Sequence, residues 1–333
     1  MPANITVRRG KTVEMAAVEG VKVWWEGIQG LRPNRMTPAE ARHLETVRAK
    51  AGMTWEIGRA PFTYRTEAGQ DITWGERFAL YRKDTGAPLG VCSDKYRVVQ
   101  PAQILEFFAD IVKLADARIE TAGTLYGGRK FWAMARLNKA EDAVAKGDVI
   151  HPYLLASTTA DGSGGTHVME TSTAVVCSNT LAMALGGKGS QIYIPHSADF
   201  NAQTVEDVKQ RLALTAKNFG AFMSAAKQLA KAKIDADSAA KFIETLLRDR
   251  KVIAAEDPLK SKGFVKIMDL FKGEQLGAEV KARQGTLWGL VNAVTEYVDH
   301  NEKRTNSAAI ETAWFGWGNA LKSEALKRAL ELV

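Results

Sequence analysis

The stretch ARIETAGTLYGGRKFWAMARL, residues 117–137, decides the fold class. It contains two runs rich in apolar, threonine and aromatic residues, and the turn sequence Tyr-Gly-Gly-Arg at residues 126–129 separates them. Two such runs joined by consecutive glycines are typical of neighbouring antiparallel strands. The stretch therefore predicts a β-hairpin in an antiparallel sheet.

The hairpin has neighbours of the same kind along the chain. Residues 151–180 and 191–196 are also typical of strands, with a turn at the Ala-Asp-Gly-Ser sequence of residues 160–163. Upstream, residues 78–101 predict two strands joined by a turn at residues 84–86. The next stretch, 101–115, places apolar residues at helical spacing after a proline, which predicts one amphipathic helix.

The two ends of the chain differ from this middle part. Near the N-terminus, Thr37 is a candidate N-cap, Pro38 takes the first helical position and Glu40 stands three residues after the cap. After Asp199 the apolar residues recur at a period near 3.6, which predicts at least four helices. The predicted helices lie roughly at 204–232, 237–251, 285–300 and 312–333. The first is expected to begin near Thr204 and to bury a stripe formed by Val208, Leu212, Phe219, Phe222, Ala226 and Leu229.

These patterns predict an α+β fold, because strands and helices are segregated along the chain. We expect a central antiparallel β-sheet with a packed helix, followed by a helical C-terminal region. The predicted divisions are an N-terminal arm or small helical lobe at 1–55, an α+β core domain at 56–200, and the helical region at 201–333.

Composition narrows the class of protein. The 333 residues include 45 Lys and Arg against 38 Asp and Glu, a formal net charge of +7, which favours an anionic partner. No uncharged apolar run reaches the length of about 18 residues that a membrane-spanning helix needs. The first residues lack the apolar stretch and cleavage site of a secretory signal, so we expect a cytoplasmic protein with no membrane partner. Two cysteines are too few for a disulfide framework.

Nucleotide-binding loops are not indicated. The LGGKGS sequence at 185–190 lacks both the earlier glycine and the Ser or Thr after lysine that a Walker A loop requires. The ADGSGGTHV sequence at 160–168 has His167 where a dinucleotide fingerprint needs its third glycine, and a hairpin turn accounts for it better. We therefore predict no cofactor and no ATP hydrolysis.

Metal or thiol chemistry has little support in the sequence. The five histidines form no i, i+4 pair, and no cysteine or carboxylate cluster completes a ligand set. His151, His167 and His196 could still converge in the fold, and Cys177 could serve as a nucleophile. The valines before Cys177 favour instead an inert thiol in a buried strand.

The more informative signal is the mixture of basic and aromatic residues near the central turns. A surface of this kind can hold a single-stranded backbone electrostatically and stack its bases. In strand geometry Lys130 and Trp132 share one face, while Arg129 and Phe131 share the other. The alternative is a solvated hairpin end with its aromatic residues in the core. The candidate nucleic-acid-binding residues are Lys95, Arg97, Arg129, Lys130, Trp132, Arg136 and Lys188.

A family resemblance adds to these patterns. The segments AGTLYGGRKFWAMARL, STTADGSGGTHV, TSTAVVCSNTLAMAL and WGLVNAVTEYVDHNEKR resemble the phage/plasmid-like protein family, which is the domain of unknown function 932. The Val-Cys-Ser-Asn-Thr block at 176–180 with the upstream Asp-Gly-Ser is its most specific part. The resemblance runs from about residue 55 to the C-terminus and implies an origin on a mobile genetic element, without a catalytic residue to carry over.

Together these observations predict a non-enzymatic protein that binds and anneals single-stranded DNA without ATP, as a homo-oligomer, during recombination. The sheet-and-helix pattern with a basic, aromatic surface is similar to the single-strand annealing proteins of phages. The alternative is a protein-interaction or anti-defence factor with no nucleic-acid activity. A third, weaker hypothesis is a metal- or thiol-dependent enzyme built on His151, His167, Cys177 and His196.

Overall fold

The computed structural model describes most of the chain, and the following account concerns that part. The described residues are 15–23, 25–26, 32–138, 141–174, 180–182, 191–197, 208, 215–250, 261–301 and 306–333. They include the whole predicted hairpin at 117–137 and most of the helical C-terminal region.

Twelve strands occur among the described residues. They are β1 Met15–Val18, β2 Asn34–Met36, β3 Ile57–Arg65, β4 Asp71–Arg82, β5 Pro88–Ser93, β6 Ala117–Leu125, β7 Lys130–Leu137, β8 Asp142–Ala145, β9 Asp148–Thr159, β10 Thr166–Ala174, β11 Thr180–Ala182 and β12 Gln191–Ile194. Eight α-helices accompany them. These are α1 Leu44–Lys50, α2 Pro101–Leu114, α3 Thr215–Lys231, α4 Ala236–Asp249, α5 Lys262–Asp269, α6 Leu287–Glu296, α7 Asn306–Trp314 and α8 Trp317–Leu330.

The described strands form two sheets. The central sheet has nine strands in the order β11-β10-β9-β7-β6-β1-β2, with β12 also paired to β10 and β8 to β9. Its pairs are antiparallel except for β1 with β2. The smaller sheet has the order β3-β4-β5. The predicted α+β class, with a central antiparallel sheet, one packed helix and a helical C-terminal region, is confirmed.

The predicted hairpin at 117–137 is present as β6 and β7, and its turn depends on glycine. Leu125 pairs with Lys130, and between them Gly127 and Gly128 have φ angles of 64° and 99°. A Cβ atom at Gly128 would lie 2.2 Å from the Trp55 ring. Glycine is therefore required there both by the left-handed backbone and by the close approach of the indole.

Strand β7 is buried on both faces. Trp132 and Met134 belong to one core, formed with helices α3–α8. Phe131 and Ala133 belong to a second core, formed with α1, α2 and the smaller sheet. The predicted alternation of faces is thus correct. Both faces are covered, so no face of this strand is open to a ligand.

The N-terminal segment contributes to the central sheet. Strand β1 pairs antiparallel with β6, and its Met15 side chain is fully buried. The predicted capping box is present, since the Thr37 amide donates to Glu40 and the Glu40 amide donates to the Thr37 hydroxyl. The turn that it caps is a short 3-10 helix over Glu40–Arg42, and α1 begins two residues later.

The C-terminal helices differ from the predicted set in two places. Helix α5 was not among the predicted helices. The single terminal helix predicted over 312–333 is divided into α7 and α8 at Gly316. Gly316 lies directly against Thr312, which leaves little room for a side chain. The predicted buried stripe of the first helix is confirmed at Phe219, Phe222 and Leu229. Its predicted start near Thr204 lies outside the described residues.

A buried ion pair joins the sheet to the helices. The Asp148 carboxylate at the start of β9 accepts hydrogen bonds from Arg283 at 2.6 and 3.1 Å and from the Trp288 indole at 2.8 Å. Both charged side chains are fully buried. Three donors on one carboxylate satisfy it, and loss of either partner would leave an uncompensated charge in the interior.

We expect Asp148→Ala to reduce the free energy of unfolding by about 3–5 kcal/mol, because it leaves Arg283 buried without its counter-ion. Urea denaturation measures this. Glu56→Ala is the matched control, since it removes a carboxylate whose pair with Lys83 is well exposed, and it should lower the unfolding midpoint far less. Equal losses from the two variants would contradict the structural role assigned to Asp148.

Candidate nucleic-acid interface

Two hairpin turns meet at one end of the central sheet, here called the turn end. Lys130 begins β7 opposite Thr159, which ends β9. The Ala160 amide donates to the Arg129 carbonyl at 2.6 Å, so the 126–129 turn and the 160–165 turn are held side by side. This contact brings Arg129 and Lys130 beside the predicted Asp-Gly-Ser turn.

The loop after β5 reaches the same end of the sheet. The Arg97 amide donates to the His196 carbonyl at 3.1 Å, and the Tyr96 hydroxyl donates to the Thr159 carbonyl at 3.3 Å. Lys95 and Arg97 are exposed there, whereas Arg129 is half-buried. Four of the seven predicted residues, Lys95, Arg97, Arg129 and Lys130, are therefore gathered at the turn end.

Lys130 is engaged within the protein. Its ammonium group lies 2.7 and 2.8 Å from the two Glu311 carboxylate oxygens and 4.2 Å from the centre of the Phe315 ring. Only 14% of its side chain is exposed. Its charge is therefore neutralised, and the contact attaches α7 to the sheet.

The remaining predicted residues are elsewhere. Trp132 is 1% exposed and packs edge-to-face on Trp25 and Trp314, so a nucleic-acid base cannot stack on it in this structure. Arg136 lies near the opposite end of β7, paired with Glu141 at 2.9 Å. Lys188 lies outside the described residues. The alternative of a hairpin end with its aromatic residues in the core describes Trp132 correctly.

A buried hydrogen-bond network organises the turn end. The His196 ring lies 2.8 Å from the Tyr96 hydroxyl on one side and 2.8 Å from the Thr158 hydroxyl on the other. A neutral imidazole needs one donor and one acceptor, and two hydroxyls can supply both. Burial lowers the pKa of His196 to about 4 and raises the pKa of Tyr96. Both groups are therefore uncharged at neutral pH and fix the loop that carries Lys95 and Arg97.

The structure adds a surface that the sequence patterns did not single out. The outer part of the β3–β4 hairpin has aromatic and aliphatic side chains on one face, with Phe62 opposite Trp74 and Tyr64 opposite Ile72. Trp74 is 52% exposed and Tyr64 is 46% exposed. We call these four residues the aromatic ribbon. The repeated pattern of aromatic residues between polar ones, FTYR and ITWG, is the signal that could have revealed it.

Two arginine side chains contact aromatic rings of the β3–β4 hairpin, and one of these rings belongs to the aromatic ribbon. The Arg77 guanidinium lies 5.5 Å from the centre of the Trp74 ring. The Arg59 guanidinium lies 3.8 Å from the centre of the Phe78 ring and donates to the carbonyls of Ser93 and Asp94, next to Lys95 in the chain. Arg59 therefore attaches the loop that carries Lys95 to strands β3 and β4, the two strands that also carry the ribbon.

The three histidines considered for a metal site have separate surroundings. His196 bonds to hydroxyls, the His167 ring packs on Tyr193 with centres 4.9 Å apart, and His151 lies six positions along β9 from Ser157, which pairs with His167. No group of three or more His, Cys, Asp or Glu among the described residues is placed to bind a metal ion. Cys177 lies outside the described residues.

Membrane insertion by a helix has no support in the described part of the chain. None of the helices there combines the length and the apolar character needed to span a bilayer.

Comparison with known proteins gives one finding. A family model described as "Domain of unknown function (DUF932)" matches residues 88–316, about two thirds of the chain. The match contains the central hairpin, the turn end and most of the C-terminal helices, and it begins after the aromatic ribbon. No curated protein and no solved structure matches the chain.

We expect His196 to make stability pH-dependent. Its pKa is about 4 when folded and 6.5 ordinarily, so the unfolded chain binds the extra proton between these values. The contribution of His196 to the free energy of unfolding is fully present above about pH 6.5. It declines by about 3 kcal/mol as the pH falls to about 4. Urea unfolding across this range measures the loss.

The control variants separate His196 from other groups that titrate. When the pH falls from about 6.5 to about 4, His196→Gln should lose less stability than the wild-type protein. His43→Gln, a change at an exposed residue, should lose as much stability as the wild-type protein. An unchanged loss in His196→Gln would show that another group causes the pH dependence.

Proposed function

The chain belongs to the family described as Domain of unknown function (DUF932), and we propose that this member binds single-stranded DNA and anneals complementary strands without ATP. We propose that it is the product of a phage or another mobile element, that it acts in recombination in the host cytoplasm, and that it works as a homo-oligomer. The aromatic ribbon is the observation that carries the proposal.

The ribbon offers the two kinds of contact that single strands need. Trp74 and Tyr64 expose about half of their surface on one face, so their rings are open to stacking. Every base has a π-face, and stacking on an aromatic ring is therefore tolerant of sequence. Arg77 beside Trp74 can contact the adjoining phosphate or add a cation–π contribution.

Cations along the neighbouring loop extend this surface. Lys95 and Arg97 are exposed at the turn end, and Arg59 attaches their loop to strand β3, which also carries Phe62 and Tyr64, through its bonds to Ser93 and Asp94. A path of positive charge beside aromatic rings can follow a nucleic-acid backbone. The proposal therefore assigns backbone contacts to Lys95 and Arg97 and base stacking to Trp74 and Tyr64.

This assignment differs from the sequence-based one in its stacking residue. Because Trp132 is enclosed by Trp25 and Trp314, a base would reach it only if the helical core opened. Trp74 needs no rearrangement. Arg129 remains a candidate for a backbone contact at the turn end, whereas Lys130 is held by Glu311.

A protein partner is the second candidate for the same surface. Ile72 is 38% exposed on the ribbon and Val91 is 43% exposed on β5. Exposed aliphatic side chains suit the apolar centre of a protein interface better than a nucleic-acid contact. An interaction or anti-defence factor would use this patch without salt-dependent binding to DNA.

Fluorescence anisotropy with a labelled oligothymidylate at several salt concentrations tests the proposal. We expect Trp74→Ala to weaken binding by about 5- to 150-fold, because stacking contributes about 1–3 kcal/mol per base. Trp74→Phe should retain most of the affinity. A Lys95→Glu, Arg97→Glu double variant should also weaken the dependence of affinity on salt. The slope of log affinity against log salt concentration has a magnitude of about 0.7 per phosphate contact for single strands.

Lys231→Glu is the matched control, since Lys231 is exposed at the end of α3 and outside both surfaces. Light scattering on the same samples reports whether the DNA-bound protein is an oligomer, and a complementary-strand assay reports annealing. Wild-type affinity in both the Trp74 and the Lys95/Arg97 variants would refute the site. No binding at low salt would refute the function and favour the protein-partner candidate.

A further inference from the structure

A cleft of about 340 Å³ lies at the opposite end of β6 from the turn end. It is enclosed by the 3-10 turn and start of α1, by the last turns of α2 and by the first residues of β6. Its volume is within the range of small-molecule sites, roughly 300–1,000 Å³. The proposed binding of single-stranded DNA makes no use of it.

The bottom of this cleft is apolar and buried. Val18, Val112 and Ile119 are exposed by 6%, 6% and 5%, and all three belong to the core formed with α1 and α2. Val18 lies on β1, Val112 on α2 and Ile119 on β6, so three separate elements form the bottom of the cleft. An apolar group placed here would contact side chains that are already fixed by packing.

The mouth of the cleft is positively charged. Among the described residues that line it, the charged ones are Arg42, Lys113 and Arg118, and all three are cations. Each is exposed at the surface. The arrangement combines an apolar interior with a cationic entrance, so we call it the basic-rimmed cleft.

The nearby carboxylates leave donors available at this entrance. Glu120 accepts from the Nε and one terminal nitrogen of Arg118, at 3.0 and 2.9 Å, and a guanidinium has five N–H groups. Asp110 lies 3.7 Å from the Lys113 ammonium, and both side chains are more than half exposed. Such an exposed pair is weak and opens readily for a better anion.

We propose that the basic-rimmed cleft binds a small amphipathic anion, with its apolar body on Val18, Val112 and Ile119 and its carboxylate or phosphate head between Arg42, Lys113 and Arg118. Burial of the apolar body supplies the affinity, and the three cations select the charge of the head. An uncharged ligand of equal length would lose the contacts at the mouth, and a cationic one would be repelled.

Isothermal titration calorimetry with the full chain tests this site, using decanoate and decyl phosphate below their micelle concentrations. We expect saturable one-to-one binding of at least one of them. Decyl maltoside, which is uncharged, and decyltrimethylammonium, which is cationic, should bind at least about tenfold more weakly, since charge-assisted hydrogen bonds contribute that much or more. The two anions distinguish a carboxylate head from a phosphate head.

Two variants locate the binding. An Arg42→Glu, Lys113→Glu double variant changes only exposed side chains, so it should keep its fold and weaken anion binding by at least about tenfold. Ala109→Phe should fill the cleft and abolish binding of every probe. Lys281→Glu is the control, because Lys281 is exposed, lies just before α6 and does not line the cleft. This variant should bind the anions as the wild-type protein does.

Unchanged anion affinity in the double variant, equal affinity for the uncharged probe, or no saturable binding of either anion would overturn the proposal. The double variant should still bind oligothymidylate, because the cleft and the aromatic ribbon share no residue. This second measurement separates a failure of the cleft proposal from a failure of the proposed function.

Discussion

The two-sided burial of β7 is the constraint on which the rest of the structure depends. Successive side chains of this strand enter two different cores, with Trp132 packed on the C-terminal helices and Phe131 packed on the side of α2. A shift of one residue in its pairing would exchange these two sets. The glycine turn at 126–129 fixes the register, and the buried Asp148–Arg283 pair attaches the helices to the sheet.

Because β6, β7 and β9 are almost entirely buried on both faces, the open surfaces in the described part of the chain lie at the ends of these strands, at the sheet edges or outside the sheet. The turn end presents Lys95 and Arg97 on a loop held by the Tyr96–His196 contact. No described residue covers the outer part of the β3–β4 hairpin in a comparable way, and Trp74 and Tyr64 are about half exposed. The opposite end of β6 has the basic-rimmed cleft. The basic-rimmed cleft is lined by three cations, and the turn end exposes two, in keeping with the net charge of the whole chain.

Local patterns predicted the fold well, because turns, caps and strand alternation depend on neighbours in the chain. The hairpin at 117–137 and the capping box at Thr37 are examples. The site was less predictable, because exposure depends on distant residues. Trp132 is covered by Trp314, and Lys130 is neutralised by Glu311, 181 residues away. Aromatic residues in strands are commonly buried, so residue type alone does not distinguish Trp74 from Trp132, and only the polar neighbours of Tyr64 and Trp74 mark the exposed strands.

Ultraviolet crosslinking of the full chain to oligothymidylate, followed by mass spectrometry of the peptides, tests the central claim most directly. That claim is that the covered sheet leaves base stacking to the aromatic ribbon. The account predicts crosslinks within residues 59–77, with additional crosslinks at 94–97 from the loop after β5. Crosslinks confined to residues 130–136 would contradict it, because they would require the two cores around β7 to open when DNA binds.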